Sequence, residues 1–175
     1  KDKRLKFKFP KGKERLVNME IGQFLAILGA SCATIFAGMG SAKGVGIVGQ
    51  AAAGVVSENP SLFGKLVPLE ALPGSQGVYG FLISFIILLK LNIFGGVLAD
   101  VTTLNGLIIL GASLCVGVVG YFSAIHQGRV AAAGVQLVAK DPSQSGRAIT
   151  MTVFVETYAV LSFIVSFLAV FFLEI

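Results

Sequence analysis

The chain has no tryptophan, two cysteines in 175 residues, and little charge beyond its first eighteen positions. Each shortage excludes something. Without Trp, the sequence lacks the residue that usually lines the aromatic pocket of a small four-helix antiporter for cationic substrates. Cys32 and Cys115 both lie in apolar stretches, where a free thiol behaves as a small hydrophobe. They provide no disulfide framework and report no compartment. Residues 1–18 hold eight of the fourteen basic residues (Lys1, Lys3, Arg4, Lys6, Lys8, Lys11, Lys13, Arg15) against Asp2 and Glu14. From Met19 onward, six basic residues stand against seven acidic ones, so the formal charge of +5 belongs to the tail. No basic patch with interleaved aromatics exists outside that tail, which argues against a nucleic-acid partner.

What is present is apolar. The chain is 55% hydrophobic, carries 22 glycines and has a mean hydropathy of +0.86. A soluble domain of this length cannot hide that much apolar surface. Four apolar segments separate cleanly: about Ile21–Val56, Leu66–Leu89, Leu104–Ala139 and Ala148–Leu173. A hydrocarbon core of about 30 Å takes about 20 helical residues, and every segment is long enough. The first and third exceed that need, so they are expected to project beyond the membrane as helix. The expectation is an all-α membrane protein with four transmembrane helices.

One residue stands out in the last segment. Glu156 is the only charged side chain between Ala148 and Leu173. An acid at a helix centre in the bilayer costs about 2.5–3.5 kcal/mol even on lenient scales. A chain keeps such a group to hold and release a cation or a proton.

The basic stretch followed by an apolar run also has the outline of a signal peptide, and Gly29-Ala30-Ser31 before Cys32 resembles a lipoprotein cleavage site. Gly29 stands where such sites want a branched aliphatic residue, and the apolar run continues far past Cys32. The preferred reading makes Met19 the start and residues 1–18 a basic extension, either upstream sequence or non-native. The remaining divisions are a first helical hairpin over 19–90, a connecting loop over 91–103 and a second hairpin over 104–175.

The two hairpins are copies. Phe81-Leu-Ile-Ser-Phe85 matches Phe163-Ile-Val-Ser-Phe167, and Pro60 matches Pro142, both at an offset of 82. Upstream, Lys43 pairs best with Arg129 at an offset of 86, which suggests about one extra helical turn in the first half. Two spans separate the copies, so the repeat is parallel rather than inverted. Glu156 falls opposite Gly74, leaving one ionisable site per four helices. The first helix of each hairpin is dense in small residues, including Gly38, Gly40, Gly44, Gly46 and Gly49, then Gly117, Gly120, Gly128 and Gly134. Gly44 to Gly49 formally fits the dinucleotide pattern G-x-G-x-x-G, but that motif needs a preceding strand and here it lies in an apolar helix. Small residues at this density let helices approach closely, and the expectation is contact with the same helices of other copies in a ring.

These stretches resemble a known family. Ala37-Gly-Met-Gly-Ser-Ala-Lys-Gly-Val-Gly46, Leu72-Pro-Gly-Ser-Gln-Gly-Val-Tyr-Gly80, Gln127-Gly-Arg-Val-Ala-Ala-Ala-Gly134 and Val155-Glu-Thr-Tyr-Ala159 look like the proteolipid (c or K) subunit of V/A-type rotary ATPases. The likeness covers essentially all of Met19–Ile175. It implies a membrane ring of identical copies whose rotation couples ion transport to ATP hydrolysis or synthesis. The implied partners are a stator membrane subunit of the a/I type, central-stalk subunits and lipid. The implied location is a multi-pass protein of a prokaryotic plasma membrane, without enzymatic activity of its own.

Helix geometry supports a liganded site independently. Leu72, Ser75, Gln76 and Tyr79 are spaced i, i+3, i+4, i+7 and share a helix face. Pro73 removes a donor and crowds the preceding turn, which can free a carbonyl near Leu72. Gln127 offers an amide oxygen and Glu156 a charge; a hard cation wants several oxygens, whereas a proton needs only the carboxylate. The resemblance to sodium-binding members implies this ligand set: the Leu72 carbonyl, Ser75, Gln76, Gln127 and Glu156, with Tyr79 bonded to the carboxylate. Ser75 stands where the closest pattern has Thr; it keeps the oxygen and loses a methyl. Na+ is the expected ion, H+ the alternative, and no organic cofactor is expected.

Plainer readings stand beside these. Gln76 and Gln127 could simply bond between helices, and Tyr79 could be an interfacial aromatic. Glu70 is read as reaching toward the interface, and His126 as packing or facing a neighbouring copy. The loops Glu58–Lys65 and Lys140–Arg147 share one face, which the resemblance places in the cytoplasm. The positive-inside rule agrees if residues 1–18 are omitted and disagrees if they are counted. Rival functions are a small proton-coupled antiporter and a structural pore or junction protein.

Overall fold

The computed structural model describes residues 5–7, 17–95 and 97–175. Most of the expected extension 1–18 lies outside the described residues. Within it, β1 (Leu5–Phe7) pairs antiparallel with β2 (Val17–Met19), Leu5 opposite Met19. Among the described residues, everything from residue 20 onward is helix, turn or short loop. α1 (Ile21–Glu58) makes the first span. The second is broken into α2 (Phe63–Ala71) and α3 (Ser75–Lys90) by a 3-10 turn over Leu72–Gly74. α4 (Thr103–Lys140) and α5 (Ser145–Phe171) form the second hairpin. All four spans are long and apolar enough to cross a membrane.

The duplication is visible in the bonding. Each hairpin turns through Asx-Pro-Ser: Asn59 Oδ1 accepts from Ser61 N–H at 3.2 Å, and Asp141 Oδ1 accepts from Ser143 N–H at 2.9 Å. Within each hairpin an equivalent serine ties the two helices together. Ser84 Oγ donates to the Ala30 carbonyl, and Ser166 Oγ donates to the Ala112 carbonyl at 2.7 Å. These equivalences all sit 82 residues apart, as do both ends of α1 and α4, each 38 residues long. The expected extra turn in the first half is therefore absent. Lys43 and Arg129 occupy non-equivalent positions, and their pairing reflects a shared neighbourhood of small residues. The copies differ in the second span, where α5 runs unbroken and its counterpart breaks at Pro73.

Asp141 caps its turn as a carboxylate. Hydrogen bonds from the Gln144 amide and from Ser143 lower its pKa from 3.8 to about 2. A depressed acid contributes fully above its unfolded pKa and loses that contribution as pH falls through the folded one. The Ser143 amide is expected to exchange faster as pH drops from 3.8 through about 2, relative to the intrinsic rate. Asp141→Asn should keep the turn at neutral pH, as Asn59 does, and should remove the acid dependence in an amide-exchange series. Acid sensitivity retained in that variant would assign it to another group.

Small residues bring α1 against α4 within the chain, so the close contacts at several of these glycines are made by the chain's own helices. A Cβ on Gly128 would stand 2.6 Å from Gly44 Cα, and one on Gly106 would stand 2.8 Å from Gly22 Cα. Gly44 also abuts Pro73, whose Cβ would lie 2.8 Å away from an added methyl. Spacing announces a close helix contact without saying whose helix arrives. A Cβ on Gly38, Gly46, Gly54 or Gly111 would meet no other element within 4 Å, which leaves those positions open for contacts outside the chain. Gly128→Leu should therefore destabilise the single chain by about 1–3 kcal/mol or more, since backbone cannot yield as side chains do. Gly38→Leu should leave chain stability unchanged in a detergent unfolding series. Equal stability of both variants would contradict this packing.

Both Pro loops lie at one end, where Lys65 Nζ donates to the Pro142 carbonyl at 3.1 Å. At the other end Lys90 Nζ donates to the carbonyls of Phe171, at 2.9 Å, and Leu173, placing a cation on the C-terminus of α5. There Gln23 also holds the connecting loop, donating to the Ala99 carbonyl at 2.8 Å. Two apolar clusters fill the bundle. One gathers Ala30, Ile83, Ile87, Ile109 and Val116, and the other gathers Val48, Leu66, Leu69, Val135 and Ala148. Gln76, Gln127 and Thr152 are all fully buried. By chain position they fall between the clusters, at the level of the Pro73 break.

Candidate ion-binding site

Three elements converge on this polar layer. Pro73 ends the α2 ladder, so the chain passes through a 3-10 turn in which Ser75 N–H bonds to the Leu72 carbonyl. Ser75 Oγ donates to the same carbonyl at 3.0 Å. The turn thus presents a carbonyl oxygen and a hydroxyl oxygen together. One residue on, Gln76 Nε2 donates to Gln127 Oε1 at 2.6 Å, linking α3 to α4. Gln127 Nε2 lies 3.3 Å from Glu156 Oε2 and 3.3 Å from the Thr152 carbonyl, linking α4 to α5. Tyr79 Oη donates to Glu156 Oε1 at 2.6 Å, closing the circuit back to α3. Its ring packs against Phe163 of α5, centroids 5.2 Å apart.

The six residues singled out in the sequence fall together. Gln76, Tyr79, Gln127 and Glu156 are joined by hydrogen bonds, and Leu72 and Ser75 form the turn that leads directly into Gln76. Glu156 is half-buried, at the edge of the bundle, while the two glutamines are sealed inside. On other faces of the same helix, Phe154 and Tyr158 are 68% and 67% exposed and suited to lipid or a membrane partner. Both carboxylate oxygens already hold neutral donors, which lowers the cost of a charge there.

One atom is out of balance. Gln76 Oε1 is buried without a hydrogen-bond partner. An unpaired buried carboxamide oxygen costs about 1–3 kcal/mol. With the oxygens of Leu72, Ser75, Gln127 and Glu156 it completes the kind of donor set a hard cation takes. Turning the Gln76 carboxamide alone would bring its oxygen against Gln127 Oε1, an arrangement that a cation between the two oxygens would satisfy. The arrangement can bind a monovalent cation and neutralise it with one carboxylate.

Thr152 is a member that sequence reasoning missed. It lies one turn before Glu156, and its carbonyl receives Gln127. The i, i+4 spacing to the acid was the available signal, but a main-chain contact leaves no mark in residue type. Glu70 and His126 lie outside the network. Glu70 approaches α1 instead, where a Cβ on Gly49 would meet its Oε1 at 2.9 Å. His126 lines a groove between α1 and α4 with Lys43, Tyr121 and Arg129. Lys43 Nζ there donates to Tyr121 Oη at 2.7 Å.

The ATP synthase C-subunit family matches this chain twice, over residues 28–87 and 110–169. The chain is 46% identical over 155 residues to the V-type sodium ATPase subunit K of Enterococcus hirae, covering 89% of this chain and 96% of that protein. It is 38% identical over 144 residues to the A-type ATP synthase subunit K of Methanocaldococcus jannaschii, covering 82% of this chain and 60% of that protein. The 16 kDa proteolipid of the human V-type proton ATPase is 28% identical over 147 residues, covering 84% of this chain and 91% of that protein. The two family matches are themselves 82 residues apart, the offset of the internal repeat.

Proposed function

This chain belongs to the ATP synthase C-subunit family, and from that premise we propose that it is a membrane rotor subunit carrying Na+ on Glu156. It is an integral membrane protein and an ion-translocating component rather than a catalytic subunit. Identical copies form the ring, a stator membrane subunit exchanges the ion, and central-stalk subunits transmit the rotation. The membrane we assign is the plasma membrane of a prokaryote.

The observation that carries the ionic reading is the unpaired Gln76 Oε1, in a layer that supplies four further oxygens. In the loaded state the Leu72 carbonyl, Ser75, Gln76, Gln127 and Glu156 replace the ion's hydration shell. One carboxylate charge cancels one sodium charge, so the loaded site is neutral and can turn through lipid. Tyr79 holds Glu156 Oε1 and locks the site while it does so. When the stator supplies a water path or an opposing charge, the ion leaves from the half-exposed side of Glu156. The named sodium relative supports Na+ over H+.

The test is transport. The assembled complex, reconstituted in vesicles, should hydrolyse ATP in a sodium-dependent way and accumulate ²²Na+ even when a protonophore collapses the proton gradient. Accumulation abolished by the protonophore would transfer the same machinery to H+.

A further inference from the structure

The broken second span raises a bonding problem that α1 solves. The ladder of α3 begins at Ser75, so the N–H groups of Ser75, Gln76 and Gly77 are the first three donors of a helix; that of Ser75 is held by the 3-10 bond to the Leu72 carbonyl, and the other two lack ladder acceptors. Ordinarily the residue at the N-cap supplies a side-chain oxygen to the third of these. Here the N-cap is Gly74, which has no side chain to offer. The oxygen comes instead from another helix: Gly77 N–H donates to Ser41 Oγ of α1 at 2.7 Å. Ser41 is buried, 7% exposed, so water is a poor substitute.

The surroundings match this role. Ser41, Gly44 and Val45 lie on one face of α1 and meet the break at successive points. A methyl on Gly44 would lie 2.8 Å from Pro73 Cβ, and one on Gly74 would lie 3.8 Å from Val45 Cγ2. Gly77 itself approaches so closely that an added Cβ would stand 3.2 Å from both Cβ and Oγ of Ser41. The broken turn is therefore seated on α1 at three contacts, and only Ser41 contributes a hydrogen bond.

We propose that Ser41 is a positioning residue for the sodium site: by capping α3 from α1 it keeps the Leu72–Gly74 turn open, so that the Leu72 carbonyl remains a ligand. This inference rests on the sodium reading above. The physical link is competition for carbonyls. With Ser41 Oγ gone, Gly77 N–H turns to the Pro73 carbonyl four residues back, the α-ladder extends by one step, and Gln76 N–H follows onto the Leu72 oxygen. That rewinding adds a second main-chain donor to the Leu72 oxygen, which Ser75 N–H already holds, and rotates the Ser75 hydroxyl with it. The carboxylate and its partners Tyr79 and Gln127 stay where they are, because none of them bonds to Ser41.

The experiment is equilibrium ²²Na+ binding to the purified, detergent-solubilised assembly at pH 8. Ser41→Ala should raise the sodium Kd about tenfold, the range typical of residues that orient metal ligands. The pH profile of carbodiimide labelling at Glu156, taken without sodium, should match the parent's, because the acid is untouched. Ser84→Ala is the control. It removes a hydroxyl from the same α1–α3 contact, where it bonds to Ala30 and Gly80, and should leave the sodium Kd within about twofold. Gly77→Ala offers a second route, since its methyl crowds the Ser41 hydroxyl, and should weaken sodium in the same direction. A Ser41→Ala assembly with the parent's Kd overturns the proposal, as does equal weakening by Ser84→Ala or a shifted labelling profile. A parent that binds no sodium overturns the sodium reading itself, which is a distinguishable result.

Discussion

Glu156→Gln should abolish both carbodiimide labelling and ion-coupled ATP hydrolysis, while the protein still assembles. The substitution is close to isosteric. The amide oxygen of the replacement side chain can still accept from Tyr79, so the 2.6 Å contact that joins α3 to α5 has a counterpart in the variant. What disappears is the charge. Sodium in a site lined only by neutral oxygens leaves a net charge at membrane depth, with an insertion cost of a few kcal/mol. Turnover falls by a factor of ten for about every 1.36 kcal/mol added to the barrier, so the loss should exceed about a hundredfold. Labelling is lost for a separate reason: the reagent reacts with a carboxyl group, and Glu156 is the only charged side chain in its span. Transport at the parent rate in this variant would contradict the assignment of the ion to Glu156.

Gln127→Leu should have the next largest effect, weakening sodium by roughly a hundredfold, with Gln76→Leu somewhat milder. The ranking follows from connectivity. Gln127 touches Gln76, the Thr152 carbonyl and Glu156 at once. Removing it takes away one cation ligand, one donor to the carboxylate and the partner of the Gln76 amide. Gln76→Leu removes one ligand and leaves Gln127 bound to α5. If the glutamines merely joined helices, Leu in either place would alter stability and leave the sodium Kd unmoved. Isotherms of ²²Na+ binding at pH 8, on the parent and both variants, decide between these outcomes.

Much of this architecture is legible in the sequence because the bilayer imposes simple rules. Apolar runs of the required length mark the spans, and Pro73 marks the break between α2 and α3. The i, i+3, i+4, i+7 spacing from Leu72 to Tyr79 put four polar-layer positions on one face before any partner helix was known. Residue type alone could not identify the partners of the small-residue helices. Gly44 and Gly128 announce a close contact equally well whether the other helix belongs to this chain or to another copy, and the structure places them against each other. Thr152 and Ser41 escaped for a related reason. Each acts on, or through, a main-chain group, and an alcohol in a membrane helix most often bonds its own preceding turn, as Ser162 and Thr150 do. The mistaken offset at Lys43 arose where sequence similarity was weakest, in a run of glycine and alanine that aligns with itself in several registers.

The most direct test of the central claim is protection of Glu156 from a hydrophobic carbodiimide by sodium at alkaline pH. Sodium is predicted to slow labelling in a concentration-dependent way, more strongly as pH rises and protons compete less. Protection should weaken in Gln127→Leu and Gln76→Leu in the order of their sodium affinities. Labelling that falls with pH but is indifferent to sodium would contradict the sodium assignment: the carboxylate would then carry protons, and the oxygens around it would serve only to hold the helices together.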